Sequence, residues 1–183
     1  MVFFVHIHHL CLIPHSYPIP HTPYLIPHTH PMPKTSAGVL LYRLTKGFPE
    51  VFLVHPGGPF FVKKDLGAWS IPKGEMDDQE EPLVAAKREF FEETGIEIEG
   101  TFITLTPIRQ KSGKMVLAFA IESNIDAGKI KSNSFEIEWP PRSGNMKTFP
   151  EIDRGEWFNL TTAKEKINPA QGALIDELQA KLH

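Results

Sequence analysis

The 183-residue chain predicts an α/β fold, a mixed β-sheet between helical layers. Three observations carry that prediction. Short apolar segments bounded by turn signals recur from residue 36 onward. An acid-rich amphipathic stretch runs up to Gly95, and a second helical period fills the C-terminus. Strands interleaved with two main helices give a sheet covered by helices.

The first 33 residues stand apart. They contain no Asp, Glu, Lys or Arg, yet hold 7 of the 17 prolines and 7 of the 9 histidines, with Ile-Pro-His recurring at Ile13, Ile19 and Ile26. Proline at this density blocks helix and interior strand, so 1–33 is expected to be a disordered or extended tail and 34–183 the folded domain. The segment lacks a basic start and an Ala-x-Ala-like cleavage site, which argues against a signal peptide. Its histidines allow a metal-handling role, but no spacing repeats with a fixed partner; the simpler expectation is a tail without catalytic work.

From residue 36 the elements follow in order. Residues 37–43 and 51–55 read as two strands joined by a turn near Gly47 to Pro49. Residues 69–74, WSIPKG, read as a short strand entering a glycine turn. A helix is expected to begin between Asp78 and Pro82, with acids in its first turn and Leu83, Ala86 and Phe90 as its apolar stripe. Gly95 is placed to end it as a left-handed cap. Strands are predicted at 101–107, 115–121, 135–139 and 156–159, and a last helix at 169–182 with Ala173, Leu174, Leu178 and Leu182 on one side.

The helix carries the chemistry. Glu89, Glu92 and Glu93 stand at i, i+3, i+4, which puts three carboxylates on one helical face within reach of each other. Like charges so placed repel, and the arrangement becomes favourable around a hard divalent cation such as Mg²⁺ or Mn²⁺, which takes oxygen ligands.

The segment GEMDDQEEPLVAAKREFFEETGI, residues 74–96, resembles the box of the Nudix hydrolase family. Gly74, Glu80, Arg88, Glu89, Phe90, Glu92, Glu93, Gly95 and Ile96 fill its required positions. Seven of these are fixed residue types, and at ~5–7% usage each a chance match is on the order of one in 10⁸ to 10⁹. Phe90 departs mildly, since the family more often has an aliphatic residue there.

The resemblance covers about residue 34 to the C-terminus and implies a Nudix-type α/β/α sandwich. It implies Glu89, Glu92 and Glu93 as ligands of Mg²⁺ or Mn²⁺, joined by the backbone carbonyl of Lys73. It also implies structural roles for Gly74 and Gly95 and a pairing of Glu80 with Arg88 that holds loop to helix. The MutT-type branch places a Glu five residues before a Glu-Trp pair; Glu151 sits at that spacing from Glu156-Trp157 and is a candidate ligand or general base. The implied reaction is hydrolysis of a diphosphate linkage in a nucleoside or dinucleoside polyphosphate.

Substrate contacts are less specific. Arg109, Lys111 and Lys114 form a basic loop, and Arg142 lies in a Pro-Pro-Arg turn; each suits either a distal phosphate or solvent. Trp139 suits a stacked base or the core. The approach WSIPKGE is similar to that of diadenosine-polyphosphate hydrolases. Those enzymes often carry a Tyr past the box, whereas here the tyrosines are Tyr17, Tyr24 and Tyr42. The run 135–178 is similar to predicted nucleoside-triphosphate pyrophosphohydrolases.

Composition bounds the rest. A net charge of −3 argues against a general nucleic-acid or membrane-surface binder, and the partner expected is a small nucleotide. The single cysteine, Cys11, excludes an intramolecular disulfide and fits the cytoplasm. No apolar run is long enough to span a bilayer. The alternative to an enzyme is a nucleotide-binding or sensor module that holds its ligand without cutting it.

Overall fold

The computed structural model describes residues 35–183; the expectations placed on the Pro/His-rich tail and Cys11 lie outside them. The first strand, β1 (Thr35–Thr45), turns through Lys46-Gly47 into β2 (Phe48–Pro56), with Thr45 opposite Phe48. This is a two-residue hairpin connection, one residue earlier than the turn predicted. β3 (Lys73–Glu75) pairs antiparallel with β1. Gly74 is therefore a strand residue opposite Ala37 and not part of a turn, which corrects the sequence reading.

Helix α1 (Pro82–Thr94) begins after the run of acids rather than within it. Proline suits its first position because the missing N–H would have no intrahelical partner. Glu81 caps that end by accepting from the Val84 N–H. At the other end Gly95 adopts φ 70°, ψ 14°, and its N–H returns to the Phe91 carbonyl, as a left-handed cap requires.

After α1 come β4 (Ile103–Thr104), β5 (Ile108–Arg109) and β6 (Met115–Glu122). The strand expected over 101–107 shrinks to two residues. Pro107 ends the pairing, and the Thr106 N–H turns to the Glu177 carboxylate at 2.8 Å. β7 (Ser134–Glu138) leaves the main sheet and forms a ribbon with β8 (Met146–Pro150), a strand without an alternating apolar pattern in the sequence. β9 (Ile152–Asn159) returns to the main sheet beside β2. Two helices close the fold, α2 (Leu160–Lys166) and α3 (Gly172–Lys181). The single helix predicted over 169–182 is thus a 3₁₀ turn at Pro169–Gln171 followed by α3, and α2 is additional. Within α3, Leu174, Ile175 and Leu178 are buried while Ala173 faces solvent, so Ile175 takes the place assigned to Ala173.

The main sheet runs β4-β6-β1-β2-β9, with β3 added to β1 and β5 to β6. The β1–β6 pair is parallel and the others are antiparallel, so the sheet is mixed. Side chains alternate across it. Ala37, Val39, Leu41 and Phe52 meet Ala85, Ala86 and Phe90 of α1 on one face. Leu40, Leu53, Trp69 and Phe158 meet Leu160, Ala163, Leu174 and Leu178 on the other. β1 is accordingly buried over seven consecutive residues, as expected of a central strand covered on both sides. The result is an α/β/α sandwich.

Candidate active site

The site lies where β3, the C-terminal half of α1 and the start of β9 converge. α1 crosses β3 so closely that a Cβ built on Gly74 would stand 1.7 Å from Oε2 of Glu89. Only glycine leaves room for that carboxylate. Glu89 is 9% exposed, and burial raises its pKa. One helical turn on, Glu93 accepts from the Lys73 backbone N–H at 3.2 Å. Burial lifts the Glu93 carboxyl to about 7; Lys73 opposes the rise, and Glu89 and Glu151 add to it. Glu151 is held by its backbone. Its N–H donates to the Asn133 carbonyl and its own carbonyl accepts from Gly57, each at 2.8 Å.

A cleft of about 480 Å³ joins these groups. Glu89, Glu93, Glu151, Lys73 and Gly74 form its acidic part. Phe61, Trp69, Ser70, Gln110, Asn168 and Gln171 supply an aromatic and neutral-polar lining that the sequence reading missed. Neutral side chains drawn from distant elements carry no spacing signal, so only the fold brings them forward.

Arg88 organises the outer side of the acids. Its Nε and Nη2 donate to the two oxygens of Glu80 at 3.0 and 2.9 Å, a bidentate pair. Nη2 also reaches the Glu75 carbonyl at 3.0 Å, and Nη1 reaches Glu89 at 2.7 Å and Glu92 at 3.3 Å. Arg88 thus ties the loop before α1 to the helix. It also corrects the picture of three bare, repelling carboxylates: Glu92, 41% exposed, turns to Arg88 and is not among the residues lining the cleft. The Arg88 hydrogen bonds, with one from the Asp77 N–H, hold the Glu80 carboxyl at about 2. A carboxyl depressed by folding contributes stability above its ordinary pKa and loses it as pH falls toward the folded value. Comparing wild type with Glu80→Gln by thermal melting should therefore show a gap above pH 5 that closes as pH drops from about 4.5 toward 2.

The basic candidates do not line the cleft. Arg109 on β5 points to solvent, and the alternation of the chain brings its neighbour Gln110 to the cleft instead. Lys111 is exposed, and Lys114 is engaged with the Glu75 carboxylate at 2.8 Å. Arg142 sits in the turn of the β7–β8 ribbon with φ 64°. Trp139, at the end of β7, packs edge-on against Phe60 with ring centroids 5.4 Å apart, neither stacked in the cleft nor buried in the core.

Among the described residues, no three His, Cys, Asp or Glu side chains stand together as a finished metal cage. The donor chemistry nevertheless fits a hard divalent cation. Glu89, Glu93 and Glu151 offer oxygen only, Glu93 feels the charge of both others, and Lys73 is the one cationic residue among those lining the cleft.

The fold is an α/β/α sandwich carrying an acidic cleft between its first helix and central sheet. The family model described as NUDIX domain matches residues 32–178, and the chain belongs to that family, the Nudix hydrolases, whose members generally use divalent metal ions. A curated relative, the RNA pyrophosphohydrolase of Bartonella bacilliformis, is 32% identical over 107 residues, half of this chain and 58% of that protein. The chain thus spans little more than half the length of this relative. Among solved structures, a C. elegans Ap4A hydrolase in a binary complex shares 24% identity and a TM-score of 0.56, covering 81% of this chain and 97% of that one. The NUDIX domain of Shewanella oneidensis NrtR, complexed with ADP ribose, shares 15% identity and a TM-score of 0.60, covering 86% and 93%. At these identities the two structures speak for the fold.

Proposed function

We propose that this chain is a metal-dependent pyrophosphohydrolase that cleaves a diphosphate linkage in a nucleoside or dinucleoside polyphosphate. The observation that carries the reading is the convergence of Glu89, Glu93 and Glu151 with Lys73 in one cleft. Its family membership and the name of its Bartonella relative support pyrophosphate chemistry.

Glu89, Glu93 and Glu151 would hold Mg²⁺ or Mn²⁺, with Glu92 on the rim and the Lys73 carbonyl as a further oxygen donor. When bound, the cation neutralises phosphate charge and lowers the pKa of water. The chain's own residues do the rest. Glu89 is already engaged by Arg88, which leaves Glu151 as the carboxylate suited to take the proton of the attacking water. The water oxygen bonds to phosphorus, the bridging P–O bond breaks, and its electron pair leaves with the departing phosphate. Arg109, Lys111, Lys114 and Arg142 lie off the cleft lining and are proposed only as outlying contacts for distal phosphates.

The test is product identification by mass after incubation with Mg²⁺ or Mn²⁺. The panel holds nucleoside triphosphates, diadenosine polyphosphates, ADP-ribose and a 5′-triphosphorylated RNA, the last prompted by the relative's name. Turnover of a free nucleotide that EDTA abolishes is the expected result. Removing residues 1–31 should leave that rate within about twofold, since the groups proposed to do the chemistry, Lys73, Glu89, Glu93 and Glu151, all belong to the domain that follows. The second reading, a sensor that binds without cutting, has one observation on its side, the lack of a finished three-carboxylate cage among the described residues. Saturable nucleotide binding with no product under any metal would establish it and sink the first. No helix of the described residues is long and apolar enough to cross a membrane. A cytoplasmic location and a small-molecule partner are part of the same proposal.

A further inference from the structure

One buried polar atom is left over, on a residue that lines the cleft. Gln171, 1% exposed, lies at the junction of the 3₁₀ turn and α3 and lines the cleft. Its Oε1 accepts from the Ile71 N–H at 3.0 Å. That bond fixes which way the amide points, because turning it over would set two donors against each other. Nε2 then has no hydrogen-bond partner and is the one buried side-chain nitrogen or oxygen so placed among the described residues. A buried donor without an acceptor costs on the order of 1–3 kcal/mol, which an acceptor arriving in the cleft would offset.

The nature of that acceptor follows from the surroundings. The acids and Lys73 mark the phosphate end. Ile71, which anchors the Gln171 amide, is two residues before Lys73, so those two backbone positions lie at most ~7 Å apart. Apart from the acids and Lys73 the lining is uncharged and includes Ser70, Asn168, Trp69 and Phe61. A phosphate oxygen is ordinarily met by a charged donor, whereas a neutral amide beside aromatic rings suits the edge of a base. We propose that Gln171 is a specificity-determining residue whose Nε2 donates to a carbonyl oxygen or ring nitrogen of the substrate's nucleobase. The inference rests on the nucleotide-hydrolase reading and adds which end of the substrate lies where, and what reads it.

Two measurements test it, one of them independent of turnover. The first follows the Gln171 side-chain amide by ¹⁵N NMR in the metal-free full chain, assigned by its disappearance in Gln171→Glu. Nucleoside monophosphates should move this signal and inorganic pyrophosphate should not; the reverse pattern overturns the proposal. The second compares kcat/KM for the four ribonucleoside triphosphates in wild type, Gln171→Glu and Gln171→Leu. Gln171→Glu keeps an oxygen for the Ile71 N–H but presents an acceptor in place of the donor, and thermal melting of both variants checks that each is folded. The ratio among bases should shift about tenfold or more in Gln171→Glu, toward bases offering an amino group. Equal losses across all four bases, or none, overturn the assignment while leaving the hydrolase reading intact. Absence of hydrolysis in wild type, with the amide still moved by monophosphates, overturns the hydrolase reading and upholds the base contact.

Discussion

Gly74→Ala is expected to cut kcat/KM by ~10²–10³ while lowering stability by only ~1–2 kcal/mol. The added methyl would lie 1.7, 2.1 and 2.5 Å from Oε2, Cδ and Oε1 of Glu89. Overlap of that size forces movement. β3 is held in register against β1, with Ala37 opposite Gly74, so the carboxylate moves rather than the strand. Arg88 already holds one Glu89 oxygen at 2.7 Å and gives the displaced group a place to go, which limits the cost in stability. The site has no such tolerance, because misplacement of about an ångström costs catalysis ~10²-fold. Gly172→Ala is the control: nothing stands within 4 Å of its added Cβ, and the backbone there is helical. It should be neutral in rate and neutral or mildly stabilising. Thermal melting and steady-state kinetics on both variants decide the matter. A Gly74→Ala enzyme within threefold of wild type would show that Glu89 is not needed where it stands.

That glycine also shows what a sequence conceals. Its spacing to the acids is legible, and with it the helix, the Gly95 cap, the two opening strands and the mixed sheet. Its physical reason is not, because the atom that excludes a side chain belongs to Glu89, 15 residues on, and meets Gly74 only after α1 packs across β3. Charged residues at fixed intervals leave a pattern, so Glu89 and Glu93 could be picked out before any coordinates, and Glu151 through the resemblance to the MutT-type branch. Their partition could not: Arg88 draws Glu92 outward through rotamer choice, which spacing does not encode. The same limit explains the basic residues. Arg109 and Gln110 are neighbours in the chain, and only the register of β5 against β6 decides which faces solvent. β8 is exposed along most of its length and α2 has seven residues, so neither left a periodic apolar signature. Gln171 is neutral and solitary in sequence, and becomes notable only as a buried donor without an acceptor.

Glu93→Gln should do two opposite things. In the presence of Mg²⁺ or Mn²⁺ it should lower kcat by ~10³-fold, since a carboxylate proposed to hold the cation is lost. In metal-free protein it should raise stability, and the pH at which it does so is fixed. Folding lifts the Glu93 carboxyl from 4.5 to about 7, chiefly by burial. The unfolded chain releases this proton near pH 4.5, whereas the folded chain keeps it until about 7. Between those values the native state binds more protons, so metal-free wild type loses stability as pH rises and stays weakened above 7. At 1.36 kcal/mol per unit the penalty is at most ~3 kcal/mol. Glutamine keeps an oxygen for the Lys73 N–H and carries no charge to desolvate. The variant should therefore match wild type near pH 4 and exceed it by ~1–3 kcal/mol at pH 8 in EDTA. Adding metal should raise the melting temperature of wild type and leave the variant unmoved, because cation binding offsets the cost that the substitution has already removed. Denaturation at the two pH values, with and without metal, gives four numbers for each protein. A variant no more stable than wild type at pH 8 without metal would mean that Glu93 is solvated there. A metal response equal to that of wild type would remove Glu93 from the cation site.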